Sequence, residues 1–364
     1  MSRQTVVNIP VTDHDNFSFA ECLVFLGRSE KECLHYVEGG VVQKMIVSNG
    51  RPVLVEISDD PISKGLRAIV RGAGTGEESN GLNGLNDLDS LNGANGLNES
   101  NVLNGSTLNR LNNSNRSNAV NRSNDSNGPG DLNESGGVIS IDEEYIRRYI
   151  SHWLHLDADL RPFYDFAAKD AVLASLAERY KGLRLIGIPD LFEALTWSIT
   201  GQQITLGFAY TLRQRFIQAF GHHAVIDGKD HYVYPHPSVI AALEPASLIS
   251  MQFSRSKADY IIRLAQSMTD GHLTAEQLQH MNYQQAREHL ISFRGIGNWS
   301  ANYVLMKYHR HHQALPLEDA GLHNALKYQL QLSSKPSLAD VKAYTQHWKE
   351  HAAYATFYLW RSLY

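Results

Sequence analysis

The sequence predicts an α+β fold: a small N-terminal antiparallel sheet with helices, followed by a larger all-α unit. Three observations predict it. Residues 5–70 hold alternating apolar segments and an Asn49-Gly50 pair, the dipeptide that most favours a two-residue hairpin. From Ile141 onward, apolar residues recur at helical spacing behind capping residues. Between the two, residues 73–136 show neither period.

Taken in order, residues 41–47 and 52–57 read as strands joined at Asn49-Gly50, and 65–70 as a further strand. Asn16-Phe17-Ser18-Phe19 leads into a helix over residues 20–26. Asparagine then recurs every third position across 80–86, 92–104 and, in a shifted frame, 109–127. A period of three suits neither helix nor strand, and the segment offers few large apolar groups. It is expected to be a disordered, low-complexity insert with no catalytic role. Its Asn-x-Ser/Thr triplets, such as those at Asn98, Asn104 and Asn121, are read as compositional accidents. Candidate helices then follow at 142–155, 159–179, 189–200, 203–220, 237–243, 245–250, 254–270, 274–279, 283–292, 298–310, 319–330, 337–347 and 350–363. Short connections between them suit one compact helical unit.

The 364 residues exceed one typical domain. The expected division is an N-terminal α/β domain at 1–140, interrupted by the insert at 73–136, and a helical unit at 141–364. Hydrophobic content of 43% allows substantial cores. No run of about 18 apolar residues is present, so no membrane span is expected. The first residues lack the charged-then-apolar pattern of a signal peptide. Two cysteines, Cys22 and Cys33, point to a reduced, cytoplasmic protein and cannot ligate a four-cysteine iron–sulfur cluster. A net charge of −5 argues against nucleic-acid binding by bulk charge. Local binding through backbone amides and a few basic side chains stays open.

The chemistry concentrates at 290–319. Phe293-Arg294-Gly295-Ile296-Gly297-Asn298-Trp299 joins two helical segments. A turn of this kind leaves the amides of Gly295, Gly297 and Asn298 at a helix start, where partial positive charge suits a DNA phosphate of any sequence. Carbonyls of Ile291, Phe293 and Ile296 are candidate ligands for a monovalent cation. Trp299 and Tyr303 share a helix face at i and i+4. Such pairs are usually core, yet here they begin at the phosphate grip, where aromatic faces can stack on an extruded base. Asp319 follows 22 residues after Gly297. It reads as a helix N-cap and equally as an ionised carboxylate held in place to stabilise a sugar cation. The two roles are compatible. Glu318, next to it, points elsewhere.

At this point the chain resembles the helix–hairpin–helix DNA glycosylase superfamily, and within it the 3-methyladenine DNA glycosylase II (AlkA-type) branch. The resemblance covers roughly residues 140–364. It rests on residues 290–301, on Ala301-Asn302-Tyr303 and on the turn from Pro316 to Asp319. Residues 156–160 with Phe163-Tyr164, 195–203, Tyr234-Pro235 with Pro237, and 347–360 add to it. The N-terminal strands resemble the family's small α/β domain more weakly. The resemblance implies a two-lobed helical unit, with a central lobe at about 180–310 and a second lobe from 141–179 plus 311–364. It also implies that Asp319 is the essential carboxylate, that Trp299, Tyr303 and Trp360 line the base pocket, and that Gln203 enters the duplex in place of the flipped base. Residues 349–352 depart from the family's more basic, Pro-Trp-containing segment, which puts DNA or loop contacts there in doubt.

Relatives with lyase activity carry a Schiff-base lysine where this chain has Trp299, and tryptophan cannot form an imine. The expectation is therefore a monofunctional hydrolase acting as a monomer on duplex DNA with an alkylated base. It needs no cofactor beyond that structural cation. Two alternatives are weighed against it: a non-catalytic module that binds damaged DNA, and a glycosylase for oxidised bases.

Overall fold

In a computed structural model, residues 4–72 and 141–364 are described. The asparagine-rich stretch expected at 73–136 lies outside them. Five strands form one antiparallel sheet in the order β1-β5-β4-β3-β2: β1 (Gln4–Pro10), β2 (His35–Glu38), β3 (Val41–Ser48), β4 (Arg51–Asp60) and β5 (Gly65–Gly72). The β3–β4 turn sits at Asn49 and Gly50, both with positive φ (51° and 68°), the backbone that a two-residue hairpin demands. Helix α1 (Phe19–Leu26) starts on Ser18, whose hydroxyl accepts the Glu21 amide.

The helical part begins with α2 (Glu143–Leu154), α3 (Arg161–Ala167) and α4 (Ala174–Arg179). A single helix over 159–179 is not what forms. The buried Asp170 carboxylate accepts the amides of Val172 and Leu173 at 2.7 and 3.0 Å, and this local bond competes with the helix ladder and breaks it. There follow α5 (Leu191–Thr200), α6 (Leu206–Phe220), a two-stranded ribbon β6 (His222–Ile226) and β7 (Lys229–Val233), α7 (Pro237–Ala241), α8 (Pro245–Ile249), α9 (Arg255–Thr269) and α10 (Ala275–Gln279). The ribbon is an addition to the helical expectation; Asp227-Gly228 makes its turn with φ of 52° and 75°. The last helices are α11 (Tyr283–Ile291), α12 (Asn298–Lys307), α13 (Ala320–Gln329), α14 (Leu338–Thr345) and α15 (Ala352–Arg361).

Sheet and helices share one hydrophobic core. Val7, Ile9, Val53, Ile57 and Leu66 pack in the same cluster as Ile146, Trp153, Leu195 and Phe357. Backbone bonds join the two parts: Thr12 N to Leu156 O at 3.0 Å, and Ser18 N to Gly182 O at 2.9 Å. Gly182, at φ +90°, leaves 2.5 Å between a would-be Cβ and the Ser18 nitrogen, so only glycine allows this approach. The fully buried Arg184 donates to the carbonyls of Ala158 and Asp13. Within the helical body, α12 packs on α5 and α11, and α13 packs on α15. The first contact set aims the hairpin and the second aims the carboxylate.

Candidate active site

The hairpin joins α11 to α12. Gly295 adopts φ +96°, and a Cβ there would lie 2.6 Å from the Tyr260 ring. Only glycine combines that backbone with that contact. Gly297 is the N-cap of α12, extended, with no side-chain cap and open space where a Cβ would be. The first-turn amides of α12, including Asn298, therefore have neither a helical acceptor nor a capping side chain. These are amides at which the sequence leads one to expect an anion. Arg287 holds the Asn298 side chain from α11. Among the three carbonyls expected to face a cation, that of Phe293 accepts the Ile296 amide at 3.1 Å.

Asn302, one turn into α12, fixes the hairpin to the segment that carries the carboxylate. Its amide donates to Asn298 O at 2.9 Å, and its oxygen accepts the Tyr283 hydroxyl and the Leu315 amide. The chain then turns at Pro316, where Asp319 N donates to Pro316 O at 2.9 Å. Asp319 caps α13: its Oδ1 accepts the Leu322 amide at 2.7 Å. Trp360 Nε1 donates to the same oxygen at 2.7 Å, and Trp299 Nε1 donates to Oδ2 at 3.1 Å. An ionised carboxylate offers about four lone-pair sites. Three are used, so the open one is on Oδ2.

The three aromatic residues expected in the pocket meet around this group. Tyr303 stacks on Trp299 with centroids 5.4 Å apart and 28° between planes, and lies 6.1 Å from Trp360. At these separations the rings pack on one another and leave no slot for a base between them. The π surface available to a ligand is the outer face of half-buried Trp299 and Trp360. Tyr303 is buried, and burial pushes its phenol well above the ordinary range. Trp348 is core instead: its indole donates to Asp170 at 3.0 Å. The divergent segment at 349–352 forms a short 3-10 turn, with His351 stacked 4.5 Å from Phe166.

Gln203 is exposed with φ +57° at the tip of the α5–α6 loop. Two residues whose roles were missed hold that loop. Gln202 Nε2 donates to Gly295 O at 2.9 Å and to Ser300 Oγ at 3.0 Å, tying the loop that carries Gln203 directly to the hairpin. Lys257 Nζ donates to Thr200 O and Gln202 O, both at 2.8 Å. Only the adjacency of Gln202 to Gln203 hinted at this; Lys257 belongs to a distant segment. Lys307 is buried between the rings of Phe25 and Phe357 and donates to Ile186 O. Burial holds its amine well below the usual lysine range.

A family model described as HhH-GPD superfamily base excision DNA repair protein matches residues 196–351. A second, 8-oxoguanine DNA glycosylase N-terminal domain, matches 102–195. The DNA-3-methyladenine glycosylase of Bacillus subtilis (strain 168) is 45% identical over 233 residues, 64% of this chain and 77% of the relative. DNA-3-methyladenine glycosylase 2 of Escherichia coli (strain K12) is 27% identical over 52% of this chain and 64% of its own length. The 3-methyladenine DNA-glycosylase structure from Archaeoglobus fulgidus superposes with a TM-score of 0.66 at 20% identity, covering 99% of this chain and 97% of that one; at that identity it speaks for the fold. The hairpin, the doubly gripped aspartate and the length of the B. subtilis match agree, and the chain belongs to the HhH-GPD superfamily of base excision DNA repair proteins, in its 3-methyladenine DNA glycosylase II (AlkA-type) branch.

Proposed function

We propose that this protein is a monofunctional DNA glycosylase that releases alkylated, 3-methyladenine-type bases from duplex DNA by hydrolysis. One observation carries the reading: Asp319 is held by two indole N–H groups and one helix amide, beside an aromatic surface. A carboxylate fixed this way needs no reorganisation as positive charge builds on the sugar.

The hairpin amides hold a phosphate, and Gln203 fills the space that the lesion vacates. The base comes to rest against Trp299 and Trp360. An N-alkylated purine is cationic, and each π face favours it by about 0.5–2 kcal/mol. As the C1′–N bond breaks, its electron pair neutralises the ring, so the base departs without a general acid. Asp319 Oδ2, the oxygen with the open lone pair, faces the oxocarbenium-like sugar. Water adds to C1′ and loses its proton to Asp319 or to solvent. The products are a free base and an abasic site.

This reaction balances without a redox or organic cofactor. The carbonyls of Ile291, Phe293 and Ile296 are the hard oxygen donors that a monovalent cation takes; Phe293 would use the lone pair not given to Ile296. Lyase chemistry is disfavoured by the lysines themselves. Lys257 is committed to two wedge-loop carbonyls and Lys307 to Ile186. Duplex DNA is the proposed partner, and a cytoplasmic monomer the proposed form. Both cysteines are buried free thiols, as suits a reducing compartment. Among the described residues no helix is long and apolar enough to cross a membrane.

The test is chromatography of bases released from methylated DNA by wild type and Asp319→Asn. Wild type should release 3-methyladenine. The variant keeps the N-cap acceptor and should lose at least about 100-fold in rate while still binding abasic duplex. A variant of full activity would remove Asp319 from the mechanism. A wild type releasing no base while binding damaged duplex would favour the non-catalytic reading.

A further inference from the structure

Asp319, its two indole partners and the hairpin all belong to the helical unit. The N-terminal domain nevertheless meets that unit, through α1, at the turn of α15 that carries Trp360. Two pairs of side chains make the contact. Phe25 packs on Phe357 with ring centroids 4.7 Å apart. Glu21 Oε2 accepts Arg361 Nε at 3.0 Å. Glu21 stands one helical turn before Phe25 on α1, and Phe357 one turn before Arg361 on α15. The two helices thus present matching i, i+4 faces to each other. Trp360 lies between Phe357 and Arg361 in the chain, with its ring 6.3 Å from that of Phe357.

Both sides of this contact are braced. On α1, Phe19, Cys22 and Leu26 sit in the core shared with the sheet, and the Ser18 cap is tied to Gly182 O. On α15, the Arg361 guanidinium lies 4.4 Å from the Tyr180 ring and 5.2 Å from that of Tyr364. Its Nη1 donates to Tyr364 O at 2.8 Å. The side chains of Arg361 and Glu21 are only 11% and 23% exposed. A charge-assisted bond in so fixed a setting holds position, unlike a solvated surface pair. Position matters at this turn. α15 ends at Arg361, and the last turn of a helix frays most readily because its carbonyls lack partners within the helix. Trp360 is in that turn, and its indole must stay on Asp319 Oδ1 at 2.7 Å. A displacement of about 1 Å would take the N–H out of hydrogen-bond range.

We propose that the N-terminal domain clamps the last turn of α15, and that Glu21 is a positioning residue: by holding Arg361 it keeps the Trp360 indole on the carboxylate. Phe25 sets the depth at which the helices meet, and Glu21 sets the rotation of the turn. The effect on rate rests on the glycosylase reading, whereas the effect on Trp360 rests on these contacts alone. The sheet domain thereby takes part in base release through a single ion pair, one helix away from the reacting sugar.

The experiment is a double-mutant cycle on single-turnover release of 3-methyladenine from methylated duplex, with Glu21→Ala, Trp360→Phe and the two combined. Glu21→Ala should slow release about three- to tenfold, no further than loss of the indole donor itself does, with affinity for abasic duplex unchanged. In the Trp360→Phe background the donor is already gone, and the same change should cost less than about twofold. Glu21→Gln keeps an acceptor oxygen and should retain more rate than the alanine variant; it carries the cycle if the alanine variant does not fold. NMR of protein with isotope-labelled tryptophan follows the clamp directly. The Trp360 indole N–H signal, assigned by its loss in Trp360→Phe, should move upfield in Glu21→Ala as its hydrogen bond lengthens. Equal losses in both backgrounds would make Glu21 merely structural and overturn the proposal. An unchanged rate in Glu21→Ala, or an indole signal that stays in place, would overturn it as well. A wild type that releases no base sinks the glycosylase reading, and the indole signal then decides the clamp on its own.

Discussion

Trp360 and Leu322 donate to the same oxygen of Asp319, each at 2.7 Å. One contact is an ordinary helix cap. The other comes from a different helix and fixes the orientation that the cap alone leaves free. Trp360→Phe keeps the ring and removes the donor. The expected result is a tenfold or so drop in kcat, roughly the worth of one hydrogen bond to a charged group, with little change in KM. Single-turnover kinetics on an alkylated duplex measures it, and an unchanged rate would show that the indole only packs.

Gly321 shapes the same site by omission. A Cβ at this position would lie 2.9 Å from Asp319 Oδ1 and 3.1 Å from the Trp360 indole. Gly321→Ala should therefore displace the carboxylate or its partner and slow base release by about 10–100-fold. Disturbing the cap costs about 1 kcal/mol and the better helix propensity of alanine returns about as much, so the melting temperature should stay near that of wild type. Activity lost together with the fold would contradict this account.

The wedge loop and the hairpin are joined by Gln202. Gln202→Ala removes two hydrogen bonds, worth about 1–3 kcal/mol together, and frees Gln203 from its register with the phosphate grip. Base extrusion, followed by 2-aminopurine fluorescence beside the lesion, should slow about tenfold, while affinity for undamaged duplex stays unchanged. Lys257→Met should act in the same direction through the Thr200 and Gln202 carbonyls. Normal extrusion in both variants would separate the wedge from this bracing.

Acid should weaken the fold through two histidines. Burial holds His35 down to about 4 and His152 to about 3, below the usual 6.5. The unfolded chain takes up these protons first as pH falls. Their contribution is thus complete above pH 6.5 and is lost on descending through the folded values. For His35 the loss between pH 6.5 and 4 is on the order of 3 kcal/mol. Asp190, raised by burial to about 6, works the other way, stabilising at low pH and less so as pH climbs from about 4 to 6. His35→Gln should flatten the fall of Tm between pH 6.5 and 4; an unchanged slope would place the acid sensitivity elsewhere.

Much of the site was legible because its chemistry sits in short motifs. Glycines at 295 and 297, the i, i+4 pair Trp299 and Tyr303, and an aspartate opening a helix each have a local physical reason. Trp360 was reached only through resemblance, since nothing local to it points at residue 319. Gln202 and Lys257 depend on contacts across 50 residues or more, and no periodicity encodes those. In the fold, the strands at 41–48, 51–60 and 65–72 followed from alternation and Asn49-Gly50. The break at Asp170 was hidden because a helix-compatible pattern runs through it and a side-chain bond wins locally. The ribbon at 222–233 carried an Asp-Gly turn that the surrounding helical pattern masked.

The two indoles that grip Asp319 come from α12 and α15, the latter near residue 360. This ordering has a bearing on biosynthesis. A nascent chain that has emerged past α13 already owns the hairpin, the Gln203 loop and the carboxylate. It lacks the donor that orients Oδ1 until α15 docks. The surface proposed to engage a duplex is thus completed earlier on the ribosome than the site proposed to release a base, and a chain stalled before α15 would be a poor glycosylase even if it had folded.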